Sequence, residues 1–215
     1  MYFLTASYNF LEDDKMKNII KKIQTNKLLF IILLISIVSV IFGILYLSIL
    51  SKDNKTLVVE SMNSFFSSIK QGKINYSKAL YRSLTNNLFL DVIIWIFGIS
   101  ILGIPVAIFV LIFKSFVTGF TFSTIIYNYG FPGIFIAIIY ILPHIINLFI
   151  IVILTYYSIG FSRMLFNYFF RKKEYNKRKI VKRYVKLLLL SFGAFIITAF
   201  IEVYVVPIIL KFIMR

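Results

Sequence analysis

Residues 28–50 read LLFIILLISIVSVIFGILYLSIL, a run of 23 residues without a charge. A helix rises about 1.5 Å per residue, so this run is long enough to cross the roughly 30 Å hydrocarbon core of a bilayer. It is longer than the hydrophobic region of a signal peptide, and it carries no cleavage site of the A-x-A type. The run is therefore interpreted as a retained first transmembrane helix.

The composition extends this interpretation to the whole chain. Of the 215 residues, 60% are hydrophobic and only 15% are charged, and the mean hydropathy is +0.91. Soluble domains carry about 25% charged residues, which is more than this chain has available for a water-exposed surface. We predict an all-α, polytopic helical membrane protein. Because the sequence has no cysteine, disulfides and thiolate chemistry are excluded.

The positive charge is concentrated beside hydrophobic segments. The formal net charge is +16, and ten of the 24 basic residues lie between Arg163 and Lys186. Such clusters set membrane orientation and contact anionic lipid headgroups. We therefore predict membrane lipid as a partner and no nucleic acid. Residues 15–27 add five lysines, so both basic regions are expected in the cytoplasm, with the C-terminus outside.

The charge and hydropathy pattern divides the chain into six segments. We expect a cytoplasmic N-terminal arm at 1–27, in which 1–15 is either a misassigned start before Met16 or a dispensable tail. The other segments are a first transmembrane helix at 28–50, an extracytoplasmic amphipathic loop at 51–85, a transmembrane helical core at 86–170, a basic cytoplasmic loop at 171–186, and a last transmembrane helix with the C-terminus at 187–215.

The 51–85 loop contains an amphipathic helix. Its apolar residues recur at helical spacing with polar residues between them, and the helix is expected to stop near Gly72, with a second helix beginning near Ser77. Two uses of the apolar face stay open, contact with the bilayer surface and binding of a partner helix. The residues of this face are Val58, Met62, Phe65, Phe66 and Ile69.

Glycine and proline residues divide the apolar core. The expected helix breaks are Gly103, Pro105, Gly130, Pro132 and Pro143. They give about five spans in all, at 28–50, about 86–102, about 105–127, a fourth ending near 170, and 187–213. Residues 131–142 are too short to cross alone and are interpreted as a re-entrant half-helix before a helix that starts at Pro143.

A few polar residues interrupt the apolar spans, and Lys114 stands out among them. An unpaired charge at mid-bilayer costs at least about 2.5–3.5 kcal/mol, so Lys114 is expected to face the protein interior, paired with Asp91 or Glu202. The alternative is a lysine that snorkels from the end of one long span, 87–113. The candidate intramembrane polar cluster comprises Lys114, Asp91, Glu202, His144 and Asn147.

Catalytic and cofactor motifs are absent from the sequence. There is no GxGxxG, P-loop, HExxH or GxSxG motif, and three of the eight acidic residues lie within the first 14 residues. We therefore predict that the protein is not an enzyme and has no catalytic residues, cofactor or metal site. One of Asn86 and Asn87 is expected to cap a helix.

Two stretches resemble a known family. WIFGISILGIPVAIFVLIFKSFVTGFTFSTIIYNYGFPGI, residues 95–134, and ILPHIINLFIIVILTYYSIGFSRML, residues 141–165, are similar to stage II sporulation protein M. The resemblance covers roughly residues 16–213. It implies an integral cell membrane protein of endospore formers, located in the mother-cell septal and engulfing membrane.

The resemblance also implies a role and partners. Proteins of this family anchor a complex with the peptidoglycan-degrading stage II sporulation proteins D and P, which thins septal peptidoglycan during engulfment of the forespore. The 51–85 loop and the hairpin at 127–133 would then face those partners. The alternative function is a small-solute or ion transporter or channel subunit with a site around Lys114. The oligomeric state stays open, self-association included.

Overall fold

The computed structural model describes residues 27–100, 103–171 and 177–214, and this part of the chain is almost wholly helical. The predicted all-α class is confirmed. The helices are α1 (Lys27–Ile49), α2 (Lys52–Lys70), α3 (Tyr76–Gly98), α4 (Gly103–Tyr129), α5 (Pro132–Arg171), α6 (Lys177–Phe200), a π-helical segment (Ile201–Val205) and α7 (Val206–Ile213).

Within the described residues, four helical stretches are long and apolar enough to cross a membrane, namely Lys27–Ile49, Gly103–Tyr129, Pro132–Tyr168 and Tyr184–Ile213. The expected span at 86–102 corresponds to the second half of α3, which is not among them. Asn86, Asn87 and Asp91 interrupt the apolar residues of α3 and lower its hydropathy. The count of about five spans is therefore not confirmed.

The side-chain contacts give the direction of each helix. α1 runs parallel to α4, since Ser36 contacts Ser115 and Tyr46 contacts Phe120 further along both helices. α3 and α5 run antiparallel to α4, and α6 with α7 runs parallel to it. We call the end of the bundle with the α4–α5 turn the Gly130 end, and the opposite end the Gly103 end.

Two glycines bring α1 and α4 close together. A Cβ atom on Gly43 would overlap the backbone oxygen of Phe116, and one on Gly119 would overlap the backbone oxygen of Val40. Small residues of this kind let transmembrane helices approach backbone to backbone, where dispersion contacts are strongest. α1 is thereby fixed to the bundle along one narrow face, and its other faces are free for lipid.

The breaks at Gly103 and Gly130 coincide with helix ends, but Pro143 does not. α4 begins at Gly103, and Gly130 has a φ of +62°, which suits glycine, directly before α5 begins at Pro132. α5 then continues through Pro143 to Arg171. The expected break at Pro143 and the re-entrant half-helix are corrected by this continuous helix. Pro143 is buried among neighbouring helices, which hold the segment helical despite the missing hydrogen bond.

The amphipathic helix expected in the 51–85 loop is α2. It ends before Gly72, whose φ is +68°, and α3 starts at Tyr76, where the Asn75 side chain caps it by accepting from the Lys78 backbone N–H at 3.0 Å. α2 lies across the Gly130 end of the bundle. Its buried residues pack in one apolar cluster with α4, α5 and α7, made of Phe66, Ile69, Ile125, Ile136, Ala137, Val206 and Leu210.

The surface of the bundle is inverted relative to a soluble protein. α1 buries Ser36 and Ser39 while its large apolar side chains, Phe42 among them, point outward. The other spans follow the same rule, with serine, threonine and asparagine side chains inside. Exposed apolar side chains over the whole length of several helices require lipid around them, so the fold is that of a membrane protein.

Candidate functional site

A polar stripe runs along the buried face of α3. Ser83, Asn87 and Asp91 recur every four residues and are all buried, whereas Tyr81 and Phe89 on other faces are exposed. Residues four apart share one face of a helix, so the stripe faces the neighbouring helices. Sequence reasoning missed it, because Asn87 was interpreted together with Asn86 as a cap. The spacing of four residues was the signal that could have revealed it.

Lys114 lies in the interior of α4 and is bound to this stripe. Its Nζ donates to the Oδ1 of Asn87 at 2.9 Å, and Asn87 is only 2% exposed. Asn87 is therefore a partner of Lys114 in the middle of α3, and the helix cap is Asn75. Since α4 begins at Gly103, a single span over 87–113 with Lys114 at its end is contradicted.

Glu202 approaches the same place from the other side. It lies in the π-helical segment and accepts a hydrogen bond from the Ser83 Oγ at 2.7 Å. The register changes here, since the Val206 N–H donates to the Ile201 oxygen five residues earlier, and Pro207 follows directly. Glu202 lies within electrostatic range of Lys114 without replacing Asn87 as its hydrogen-bond partner.

α5 contributes an imidazole and a phenol. The rings of His144 and Tyr140 are 5.3 Å apart, and His144 lies within electrostatic range of both Glu202 and Lys114. The group Ser83, Asn87, Lys114, His144 and Glu202, called the Lys114 cluster below, thus draws on α3, α4, α5 and the π-helical segment. One positive and one negative group inside a low-dielectric bundle stabilise each other's charge.

Asp91 and Asn147 lie outside this cluster. Asp91 accepts from the Ser191 Oγ at 2.7 Å, so the expected Lys114–Asp91 pair is corrected, because α6 supplies the partner of Asp91. Asn147 accepts from the Thr198 hydroxyl. Both side chains are fully buried, and the other atoms of these groups, Oδ1 of Asp91 and Nδ2 of Asn147, have no hydrogen-bond partner in the described part of the chain.

A protein-family model matches most of the chain. Residues 28–207 match the family model described as SpoIIM, stage II sporulation protein M. The chain belongs to this family. The match contains every residue of the Lys114 cluster, and family membership suggests a role in sporulation. No curated protein and no solved structure matches the chain.

Hydroxyl groups of α5 tie the SpoIIM bundle together near the Gly103 end. Thr155, Ser158 and Ser162 donate to the backbone oxygens of Ala107, Ile94 and Gly98, at 3.5, 3.3 and 3.1 Å. Such interhelical bonds add to packing in membranes. Within the apolar run these three residues are not predicted as a site, although their spacing places them on one helix face.

The structure brings the two expected partner surfaces together. Phe66 and Ile69 are buried against the protein's own helices, and the Phe66 ring packs edge-on against Tyr129 at 5.4 Å. Phe65 is 44% exposed. The Asn128 side chain, in the 127–133 hairpin, donates to Asn63 of α2 at 2.6 Å. We call α2 together with residues 127–133 the platform.

The Lys114 cluster is a set of polar and charged groups that connect neighbouring helices by hydrogen bonds. Among residues 27–100, 103–171 and 177–214, no three His, Asp or Glu side chains group closely enough to hold a metal ion. Each hydrogen bond of the cluster joins two different elements, Asn87 to Lys114 between α3 and α4, and Ser83 to Glu202 between α3 and the π-helical segment. The cluster therefore sets how α3, and with it the platform, is held against the spans.

Proposed function

We propose that this chain is a non-enzymatic membrane scaffold of the sporulation engulfment complex. It anchors the peptidoglycan-degrading stage II sporulation proteins D and P at the septal membrane, so that the mother-cell membrane migrates around the forespore. Family membership supports the sporulation role, and the partners are those that the family resemblance implies.

The main structural support for this proposal is the way in which the platform is held on the ends of the spans. A scaffold needs a surface whose position relative to the membrane is fixed, because a flexible loop loses binding energy when it becomes ordered. Phe66 and Ile69 anchor α2 on the ends of three spans, and the Asn63–Asn128 bond joins it to the hairpin. Phe65, Tyr127 and Phe131 stay exposed on the platform, and aromatic side chains are frequent anchors at interfaces.

The proposed orientation follows from the positive charge. With the basic regions 15–27 and 163–186 in the cytoplasm, the Gly130 end faces the space between the two membranes. The platform then points towards septal peptidoglycan, on the side where hydrolytic partners must act. The non-enzymatic role assigns the bond cleavage to those partners.

Co-purification from sporulating cells tests the proposal. Tagged protein is expected to retain both partners, and the double variant Tyr127→Ser, Phe131→Ser is expected to lose them while it accumulates to normal levels in the membrane. The matched control replaces two exposed aromatic residues outside the platform, on the membrane-spanning surface of α1 and α4, Phe42→Ser and Phe109→Ser. Normal engulfment in a deletion strain, or partner retention by the platform variant, would exclude the scaffold.

A transporter or channel subunit is the second candidate. The π-helical segment at Glu202 favours it, since π-helical turns are frequent at functional sites, and here one brings a carboxylate near Lys114 and His144. Liposomes with the purified protein decide between the two. Ion or solute flux that Lys114→Ala abolishes and Lys78→Ala preserves would support transport, and absence of flux in the native protein would exclude it.

A further inference from the structure

A cavity with two lysines lies beside the platform. It has a volume of about 590 Å³ and is formed where the end of α2, the turn after it, the start of α3 and α7 meet. Its walls include Lys70, Lys211, Ile69, Tyr76, Ile208 and Phe212. The cavity is separate from the Lys114 cluster and contains none of its residues.

Within residues 27–100, 103–171 and 177–214, no acidic side chain pairs with either lysine. Neither Lys70 nor Lys211 makes an ion pair or a side-chain hydrogen bond within the described part of the chain. The Lys211 Nζ lies 3.4 Å from the position that a Cβ on Gly72 would occupy, so the missing side chain of Gly72 leaves room for the ammonium. Two unneutralised ammonium groups in one cavity favour an anionic ligand.

An apolar groove adjoins this cavity on the outer face of α6 and the π-helical segment. It measures about 540 Å³, has no polar lining, and is bordered by Phe200 and Tyr204 among other apolar side chains. Tyr204 connects the two spaces, because its ring stacks on Tyr76 with centroids 5.4 Å apart and an interplanar angle of 4°. The charged cavity and the apolar groove therefore share a wall formed by the stacked rings of Tyr76 and Tyr204.

The position of Lys211 suits the headgroup layer. Lys211 lies near the end of the span Tyr184–Ile213, and Phe212 beside it is 81% exposed. Lysines at the ends of spans lie at the level of lipid phosphates, and aromatic rings are favoured at the same depth. The cavity is thus expected at the phosphate level and the groove at the level of the acyl chains.

We propose that this cavity and groove together bind one anionic phospholipid, with its headgroup phosphate between Lys70 and Lys211 and an acyl chain along the groove at Tyr204. The lipid bridges α2 and α7, since one lysine comes from each helix. The inference does not depend on the scaffold function, because it uses only the charge, shape and position of the two spaces.

Binding of short-chain lipids to the purified, delipidated full chain in detergent tests this. Native mass spectrometry counts bound dioctanoyl-phosphatidylglycerol, with dioctanoyl-phosphatidylcholine and inorganic phosphate as the comparison probes. One phosphatidylglycerol is expected to bind in preference to both. A lysine near an anionic headgroup contributes about fivefold in affinity, so Lys70→Gln, Lys211→Gln is expected to lose roughly 25-fold.

Two further double variants test whether the loss of binding comes from nonspecific electrostatic attraction or from loss of folding. Lys52→Gln, Lys55→Gln removes the same charge from the other end of α2 and is expected to keep the affinity within about twofold. Lys70→Arg, Lys211→Arg keeps the charge and is expected to retain binding. Equal binding of phosphatidylcholine, equal binding of inorganic phosphate, or an equal loss of phosphatidylglycerol binding in the Lys52 and Lys55 control would each overturn the proposal.

Discussion

At the scale of single residues, the bundle is held by a small number of buried polar bonds. Asn87 of α3 accepts a hydrogen bond from the Lys114 ammonium, and Ser83 of the same helix donates one to the Glu202 carboxylate. In lipid no water replaces a lost partner, so the consequence of breaking one of these bonds is larger than at a protein surface.

Asn87→Leu is therefore expected to destabilise the protein by about 1–3 kcal/mol, because the Lys114 ammonium is left without its acceptor. Asn86→Leu is the matched control, since the neighbouring amide is exposed and bonds to no other residue that the structure describes. Thermal unfolding in detergent measures both. Equal midpoints for the two variants would show that the Asn87–Lys114 bond adds no stability.

Gly43→Ala is expected to lower the unfolding midpoint, because the new methyl group overlaps the Phe116 backbone oxygen and forces α1 away from α4. Overpacking of this kind costs about 1–3 kcal/mol. Gly160→Ala is the control, since a Cβ there has open space around it and alanine raises helix propensity. A stabilising effect of Gly43→Ala would contradict the close approach of the two backbones.

The sequence predicted part of this residue-scale organisation. It placed Lys114 inside a span, because an apolar run of helical length surrounds it. It did not identify Asn87 as the acceptor, because an Asn-Asn pair before an apolar segment is equally typical of a helix start. It also offered Asp91 and Glu202 equally as partners of Lys114, because charge complementarity is visible in a sequence whereas the rotation of α6 that brings Ser191 to Asp91 is not.

At the scale of elements, glycine predicts the helix ends correctly at Gly72 and Gly130, whereas proline predicts a break inside α5 that does not occur. Gly72 and Gly130 take positive φ values, and such positions can be recognised because few other residues adopt them. Pro143 carries an equally strong local signal, yet α5 continues through it. Packing of the flanking turns overrides the proline, and that packing depends on residues distant in the sequence.

Phe66→Ala is expected to release α2 from the Gly130 end of the bundle, because Phe66 is 1% exposed and central to the apolar cluster there. Truncating a buried phenylalanine costs about 3–5 kcal/mol. Hydrogen exchange of the α2 amides measures the release, and faster exchange is expected throughout α2. Phe65→Ala, at the half-exposed neighbour, is expected to leave the exchange rates nearly unchanged, and similar rates in both variants would show that the cluster does not anchor α2.

At the scale of the whole molecule, connectivity and lipid exposure decide the arrangement. α1 and α4 run in the same direction, so α2 and α3 return the chain from the Gly130 end to the Gly103 end. α3 makes this return with its polar stripe inward and with large apolar side chains such as Phe89 and Ile96 outward. Its low hydropathy comes from that interior stripe together with exposed polar residues in its first half, such as Lys78 and Arg82, which is why hydropathy alone assigned it incompletely.

Cysteine labelling tests this arrangement in a background that contains no natural cysteine. Ser64→Cys and Tyr127→Cys, both on the platform, are expected to react with a membrane-impermeant thiol reagent in protoplasts. Arg163→Cys, near the end of α5, is expected to react only after permeabilisation. Labelling of all three positions from one side would contradict both the orientation and the return of the chain through α3.

The length of α5 has a mechanical consequence. A helix of 40 residues is about 60 Å long, roughly twice the thickness of the hydrocarbon core, so α5 extends beyond that core. Its first turns support the platform, and its last turns lead to the basic segment at the other end of the bundle. A tilt of about 10° displaces one end relative to the other by about 10 Å. Since one continuous helix joins the two ends of the bundle, the tilt of α5 determines where the platform end lies relative to the Gly103 end.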